Sequence, residues 1–159
     1  MFIINDCYLK NSGLSFSMPK DFFIDYIAED FISIKSLEKS CRIEIRAEEI
    51  IFKSPLDSIN DIFSDINGYL PPESEMLSVN ETGFIWDKPP VQTKTNGILC
   101  AKCRYSSSDN KHLEIHFEKI QGESKQLELV ITIPKEYNYE FFENEFINNF
   151  INSFQKINP

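Results

Sequence analysis

Four side chains in the C-terminal half have the types, and nearly the spacing, of a zinc site: Cys100 and Cys103, then His112 and His116. A Cys-x2-Cys pair followed by His-x3-His is how a Cys2His2 finger presents its four ligands. Here the gap between Cys103 and His112 is shorter than a finger needs, and the second half lacks helical periodicity. On a strand, His112 and His116 share a face but stand roughly 13 Å apart along it, too far to share one zinc with bonds near 2 Å. Cys100 and Cys103, an odd step apart, point to opposite sides. A thioredoxin-type pair fails too, since that motif opens a helix and Leu99 to Tyr105 reads as strand. No metal and no cofactor are expected.

Hydrolytic chemistry would need a nucleophile beside one of the histidines. Ser106, Ser107 and Ser108 are near in sequence but occupy a hairpin turn, a poor place to hold a nucleophile still. Both histidines alternate with Leu113, Ile115 and Phe117, so they are expected on a solvated face. Carboxylates on strand faces (Glu44 and Glu48, Glu114 and Glu118, Glu128) are expected to be solvated as well, in a chain with 25 acidic residues. No G-x-S-x-G, Walker or dinucleotide fingerprint occurs. No catalytic residue is assigned, and the chain is not expected to be an enzyme.

A contact surface is the better reading of Trp86-Asp87-Lys88-Pro89-Pro90-Val91, because an aromatic anchor beside a stiff proline loop is interface chemistry. Leu70-Pro71-Pro72-Glu73 is a second loop of the same kind. Trp86, Asp87, Pro89, Pro90, Pro71 and Glu73 are therefore the candidate partner-binding residues. The competing role for Trp86 is to plug the edge of the core.

The elements that must carry these residues alternate between two periods. Strands are expected over Phe2–Tyr8, Leu14–Met18 and Phe31–Lys35, with Asn11-Ser12-Gly13 as a turn and Pro19 as a stop. Cys41 to Glu48 places Cys41, Ile43, Ile45 and Ala47 on one face and charges on the other, a half-buried antiparallel strand. From Ser54-Pro55 the period lengthens. Leu56, Ile59, Ile62, Phe63 and Ile66 recur at helical spacing up to Gly68. Met76 to Trp86 reads as extended, with Asp87 to Pro90 as a break. Ile98–Tyr105, Leu113–Ile120 and Leu127–Ile133 alternate and are joined by turn-rich separators, which predicts a three-strand meander. Tyr139 to Ile157 then carries Phe142, Phe146, Ile147, Phe150, Phe154 and Ile157, which predicts a long helix docked on the sheet.

Size and charge bound the rest. The chain has 159 residues, no repeat and no linker, so residues 1–159 are expected to form one domain. Net charge is −9, which repels nucleic acid and anionic membranes and attracts basic proteins. No secretory signal and no spanning helix are evident, and cytoplasm is the expected location. Cys7, Cys41, Cys100 and Cys103, scattered on strands, suit reduced thiols in that compartment.

The order of elements carries a resemblance. The phrase Leu14-Ser15-Phe16-Ser17-Met18-Pro19-Lys20-Asp21-Phe22 precedes a strand pair, a helix, a meander and a Phe-rich final segment ending Phe150-Ile151-Asn152-Ser153-Phe154. This resembles the PsbP-like/DcrB-like family, an α+β fold with a single antiparallel sheet flanked by helices in an α/β/α sandwich. The resemblance implies an accessory binding role and transfers no functional residue. Small acidic proteins of this build look like immunity proteins that neutralise a cognate bacterial toxin, which is the first expectation. The alternative is a chaperone or adaptor for a type VI secretion effector, and a small hydrolase using His112 or His116 is the third. The expected partner is a basic toxin or secreted effector.

Overall fold

The computed structural model describes residues 3–4, 12–36, 41–64, 84–107, 113–134, 140 and 143–157. Among these, the strands are β1 (Ile3–Ile4), β2 (Leu14–Ser17), β3 (Phe22–Ala28), β4 (Phe31–Ser36), β5 (Arg42–Glu49), β6 (Phe84–Thr95), β7 (Ile98–Ser107), β8 (Leu113–Gln121), β9 (Lys125–Pro134) and β10 (Gln155–Lys156). The helix α1 spans Pro55–Ser64, and a π-helical turn, Glu143–Ile147, runs into α2, Asn148–Asn152.

The alternation of apolar side chains organises one large sheet of order β3-β4-β5-β9-β8-β7-β6, antiparallel at every junction. Register pairs Ile32 with Ile45, Ile45 with Leu129, and Leu127 with Ile120, so the apolar set of four strands falls on a single face. That face is sealed by a small sheet of order β1-β2-β10 and by the C-terminal helical segment. Leu14, Phe16 and Met18 enter the core from one side, and Ile147, Phe150, Ile151 and Phe154 from the other.

Aromatic rings join the two. Phe16 stacks on Phe154 with centroids 4.9 Å apart and meets Phe150 edge-on at 5.5 Å, while Phe22 stacks on Phe146 at 4.8 Å. On the opposite face α1 packs over the other half of the sheet, with Ile59 against Ala101, Cys103 and Phe117. Ser54 caps α1 by accepting from the Asp57 N–H at 3.2 Å, and Pro55 occupies the first helical position.

Two sequence expectations are corrected here. The final segment is not one long helix: α2 ends at Asn152, and β10 pairs antiparallel with β2. The cause is the seam itself, since Phe154 must turn inward to stack on Phe16. The freed carbonyls of Asn152 and Phe154 each accept a hydrogen bond from Asn96 Nδ2 at 2.9 Å. Asn96 comes from the Asn96-Gly97 turn between β6 and β7, where both residues have positive φ (51° and 77°), as a type I′ hairpin requires. Secondly, Asp87 to Pro90 do not break the chain. β6 runs through them with irregular register between Trp86 and Lys88 and again between Lys88 and Val91. Prolines are tolerated there because β6 is an edge strand whose outward N–H groups have no ladder partner to lose.

Strand β3 was not anticipated from its pattern. Phe22-Phe23-Ile24-Asp25-Tyr26-Ile27-Ala28 alternates poorly because a bulge between Ile24 and Tyr26 resets its phase. Phe142 and the residues beyond Ser64 expected to extend α1 lie outside the described residues.

The ring seam should dominate stability. Phe16→Ala or Phe150→Ala should each cost about 3–5 kcal/mol, because both rings are buried and packed on several sides. Phe23→Ala on the exposed edge should cost far less. Urea denaturation followed by circular dichroism measures all three, and equal losses would contradict the packing described.

Candidate functional site

Strand β8 alternates as its sequence suggests, but neither of its faces is free. Phe117 and Lys119 point toward the α1 side, and His116, Glu118 and Ile120 point toward the face of the main core. His116 and Glu118 are accordingly buried, 2% and 1% exposed. This corrects the expectation that His116 is solvated. Alternation separates the two faces of a strand, but whether a face meets solvent depends on what other segments lay over it.

Burial forces the charged groups to pair. His116 Nε2 lies 2.6 Å from Glu118 Oε1. An ionised carboxylate only accepts, so the ring N–H at Nε2 donates. Next to this pair, on β7, Arg104 donates from Nε to Glu114 Oε2 at 3.4 Å and reaches Glu140 Oε1 at 3.5 Å. Glu140 precedes the π-helical turn, so this contact ties the C-terminal segment to the polar end of the sheet. Between these elements lies a cleft of about 300 Å³, lined by Lys88, Val91, Lys102, Cys103, Arg104, His116 and Glu143.

A second buried charge sits on the opposite face. Lys119 donates to Glu128 at 3.0 Å and to Glu48, with its ammonium 5.8 Å from the centre of the Phe117 ring. Two carboxylates on neighbouring strands thus neutralise one lysine beneath α1, which explains why the chain keeps charges at Glu48 and Glu128 that looked like solvent-facing residues.

The thiols are poor nucleophiles. Burial, reinforced by the Glu118 charge, pushes Cys100 up to about 12, and the same causes raise Cys103 further. Cys100 belongs to the main core and Cys103 to the cluster under α1, so the odd spacing does place them on opposite faces. Burial also raises the Tyr105 phenol. Among the described residues no three His, Cys, Asp or Glu side chains converge as a metal site would need. No helix among them is long and apolar enough to cross a membrane.

Of the residues proposed for partner contact, Trp86, Asp87, Pro89 and Pro90 all fall on the backbone of edge strand β6. The side chains of Trp86, Asp87 and Pro89 lie outside the described portion, as do Pro71, Glu73, Cys7 and His112. The other edge, β3, carries a set the sequence reading missed: Tyr26, Ile27 and Phe23 are 58%, 44% and 40% exposed. Tyr26 leans on Phe31 at 6.1 Å, and the Arg46 guanidinium lies 5.4 Å from the centre of the Phe31 ring. The available signal was the apolar run after Pro19, but the bulge hides its period.

No family model and no curated protein matches the sequence. In three dimensions the chain is similar to cyanobacterial PsbP (CyanoP) from Synechocystis sp. PCC 6803, with TM-score 0.62 at 10% identity, covering 98% of this chain and 91% of that one. It is also similar to LpqN of Mycobacterium tuberculosis, involved in cell envelope biogenesis, with TM-score 0.58 at 10% identity over 89% and 82% of the two chains. A Bacteroides thetaiotaomicron protein solved at 1.50 Å matches with TM-score 0.57 at 12% identity; the match covers 90% of this chain but only 44% of that one. The α+β PsbP-like fold is thereby shown, and identities this low carry nothing beyond fold.

The buried pair and the thiols each yield an expected outcome. His116→Leu should destabilise by about 1–3 kcal/mol or more, by stranding the Glu118 carboxylate, while His116→Leu with Glu118→Leu should recover part of that loss. A double-mutant cycle in urea checks this, and additive losses would refute coupling. Cys100 should resist a disulfide reagent at pH 8 until the chain unfolds. The unfolded thiol ionises near 9.0 and the folded one near 12, so between these values the folded chain keeps a proton that the unfolded chain loses. Stability must then fall as pH rises through that window, which Cys100→Ala should blunt in pH-dependent melts.

Proposed function

We propose that this chain is a non-enzymatic partner-binding protein, of the immunity type that covers a basic toxin or effector. The observation that carries the reading is the contrast between the two edges of its sheet. Edge strands that must not pair are blunted by proline, lysine and bulges. β6 has all three, in Pro89, Pro90, Lys88, Lys94 and a doubly irregular register. β3 has a single bulge and neither proline nor lysine between Phe22 and Ala28.

This edge, which among the described residues pairs only with β4, is flanked by Asp21, Asp25, Glu29 and Asp30, in a protein of net charge −9. A basic, extended segment of a partner would add a strand to β3 through main-chain hydrogen bonds, with its side chains beside Phe23, Tyr26 and Phe31. A second copy of this chain suits the edge less well. Pairing β3 with itself about its centre sets Asp25 opposite Asp25 and Asp21 opposite Glu29. Under this reading the blunted strand bearing Trp86 and Asp87 is the rim of the molecule and not its docking edge.

One observation favours a second reading, an effector chaperone holding an apolar segment. A groove of about 490 Å³ runs between the end of β2 and the C-terminal helical segment, lined in part by Met18, Phe146 and Phe150. Apolar burial would govern binding there, with little dependence on salt.

The test is surface plasmon resonance against the partner that copurifies from the native host, once identified by mass spectrometry and expressed. Tyr26→Ala should weaken binding about tenfold or more, as loss of an aromatic anchor does. Raising salt to about 0.5 M, where the Debye length is roughly 4 Å, should slow association far more than it speeds dissociation. A salt-insensitive on-rate, with Tyr26→Ala silent and Phe146→Ala damaging, would favour the groove instead.

A further inference from the structure

The turn between β6 and β7 carries a dipeptide with chemistry of its own. In Asn96-Gly97 the backbone nitrogen of Gly97 can attack the side-chain carbonyl carbon of Asn96 and close a cyclic succinimide. Glycine favours this step because no side chain screens its nitrogen, and a Cβ on Gly97 would meet nothing within 4 Å. Both residues are exposed. A cavity of about 390 Å³ opens beside Gly97 with Lys156 of β10 on its wall, so water reaches the joint between this turn and the C-terminal segment.

The fold restrains the reaction by holding the amide elsewhere. Asn96 Nδ2 donates to the carbonyls of Asn152 and Phe154, both at 2.9 Å. The turn itself is fixed between the paired Thr95 and Ile98, with φ of 51° and 77° at its two central residues. Attack by Gly97 therefore requires the C-terminal segment to let go of the amide first. The product then opposes reclosure. Aspartate or isoaspartate has no N–H to donate, so two carbonyls lose their donor and face a carboxylate instead. Isoaspartate also adds a backbone carbon to a turn whose geometry has no room for one.

We propose that Asn96-Gly97 is a guarded deamidation site that works as a one-way latch on the C-terminal segment. The Gly97 N–H gives its proton to solvent base, its nitrogen bonds to Asn96 Cγ, and the Cγ–Nδ2 bond breaks to release ammonia. Water then opens the succinimide at either carbonyl, giving aspartate or isoaspartate. Neither oxidant nor reductant enters. The rate follows the population of molecules whose C-terminal end is open, so conversion marks those molecules and keeps them loosened. The ring seam remains, and the portion released is the end of α2 with β10.

Two measurements test the latch. Deamidation is followed in mildly alkaline buffer for the folded chain, the same chain in guanidinium chloride, and the synthetic peptide Thr95–Lys102. Tryptic mapping isolates the turn, since Lys94 and Lys102 bracket it and separate it from the Asn-Gly at Asn67-Gly68. The unfolded chain should convert at the peptide's rate, and the folded chain measurably but at least about tenfold more slowly. Hydrogen exchange read by mass spectrometry supplies the second half. Asn96→Asp should speed exchange about tenfold over Asn149–Ile157 and leave β5 as in the parent. Asn96→Gly keeps the positive φ and removes the donors without adding charge, so its effect should lie between. Should Asn96→Asp fail to fold, Asn96→Gly carries this half alone. A folded chain that converts as fast as the peptide, or never converts, would overturn the guard. Unchanged exchange over the C-terminal segment in these variants would overturn the latch.

Discussion

A seam of phenylalanine rings holds the ends of the chain against its sheet. Phe16 from β2 is clasped between Phe150 and Phe154, which themselves meet edge-on at 5.4 Å. Ser153 reinforces the joint, its hydroxyl donating to the Phe150 carbonyl and accepting from the Ser17 N–H. A third fixed point lies at Gly122, where a Cβ would collide with the carbonyl oxygens of Ser12 and Lys125. That close approach lets Glu123 N–H donate to Ser12 at 2.8 Å, pinning the chain before β2 to the β8–β9 turn. Without the seam the apolar face of β4, β5 and β9 would be open to water.

Coverage by the seam is offset from coverage by α1. The terminal segments lie over the β4–β5–β9 part of one face, and α1 over the β6–β7–β8 part of the other. Among the described residues this diagonal arrangement leaves two regions of the sheet without an apolar cover. On the core side, β6 to β8 present Lys88, Lys102, Arg104, His116 and Glu118 around the cleft, with Arg104 paired to Glu114 and Glu140 and His116 to Glu118. On the α1 side, β3 to β5 present Phe23, Tyr26 and Phe31 among charged neighbours. Both candidate sites follow from where the cover stops. The fold is shared with proteins as different as CyanoP and LpqN, and a fold of this kind says little about function until its uncovered regions are described.

The buried charges on β8 illustrate how much a site depends on second partners. Lys119 and Glu118 are adjacent in sequence and opposite in direction, and each is neutralised by a different set of side chains. Lys119 needs β5 and β9 for Glu48 and Glu128. Glu118 uses a residue two positions away, while Arg104 draws on Glu140 beside the C-terminal helical turn. Pairs of this kind contribute little net stability compared with apolar packing, but losing one member is costly. They fix which way β8 faces.

What the amino-acid sequence determined by itself was everything governed by a local period. Alternation in Cys41–Glu48 and in the three strands from Ile98 onward marked the sheet, its meander and its apolar face, and Ser54-Pro55 marked the start of α1. The odd step between Cys100 and Cys103 put them on opposite faces. Only the tertiary structure decided which faces meet solvent. The polar face of β8 looked wet because alternation shows difference between two sides and not exposure, yet His116 on that face is buried. The last helix looked longer because its apolar spacing continues to Ile157, while it ends at Asn152 because Phe154 turns inward onto Phe16, and Asn96, 56 positions before Asn152, donates to the carbonyls so freed. Strand β3 was hidden because a bulge shifts its phase, and a bulge is a relation between two strands that neither sequence carries alone.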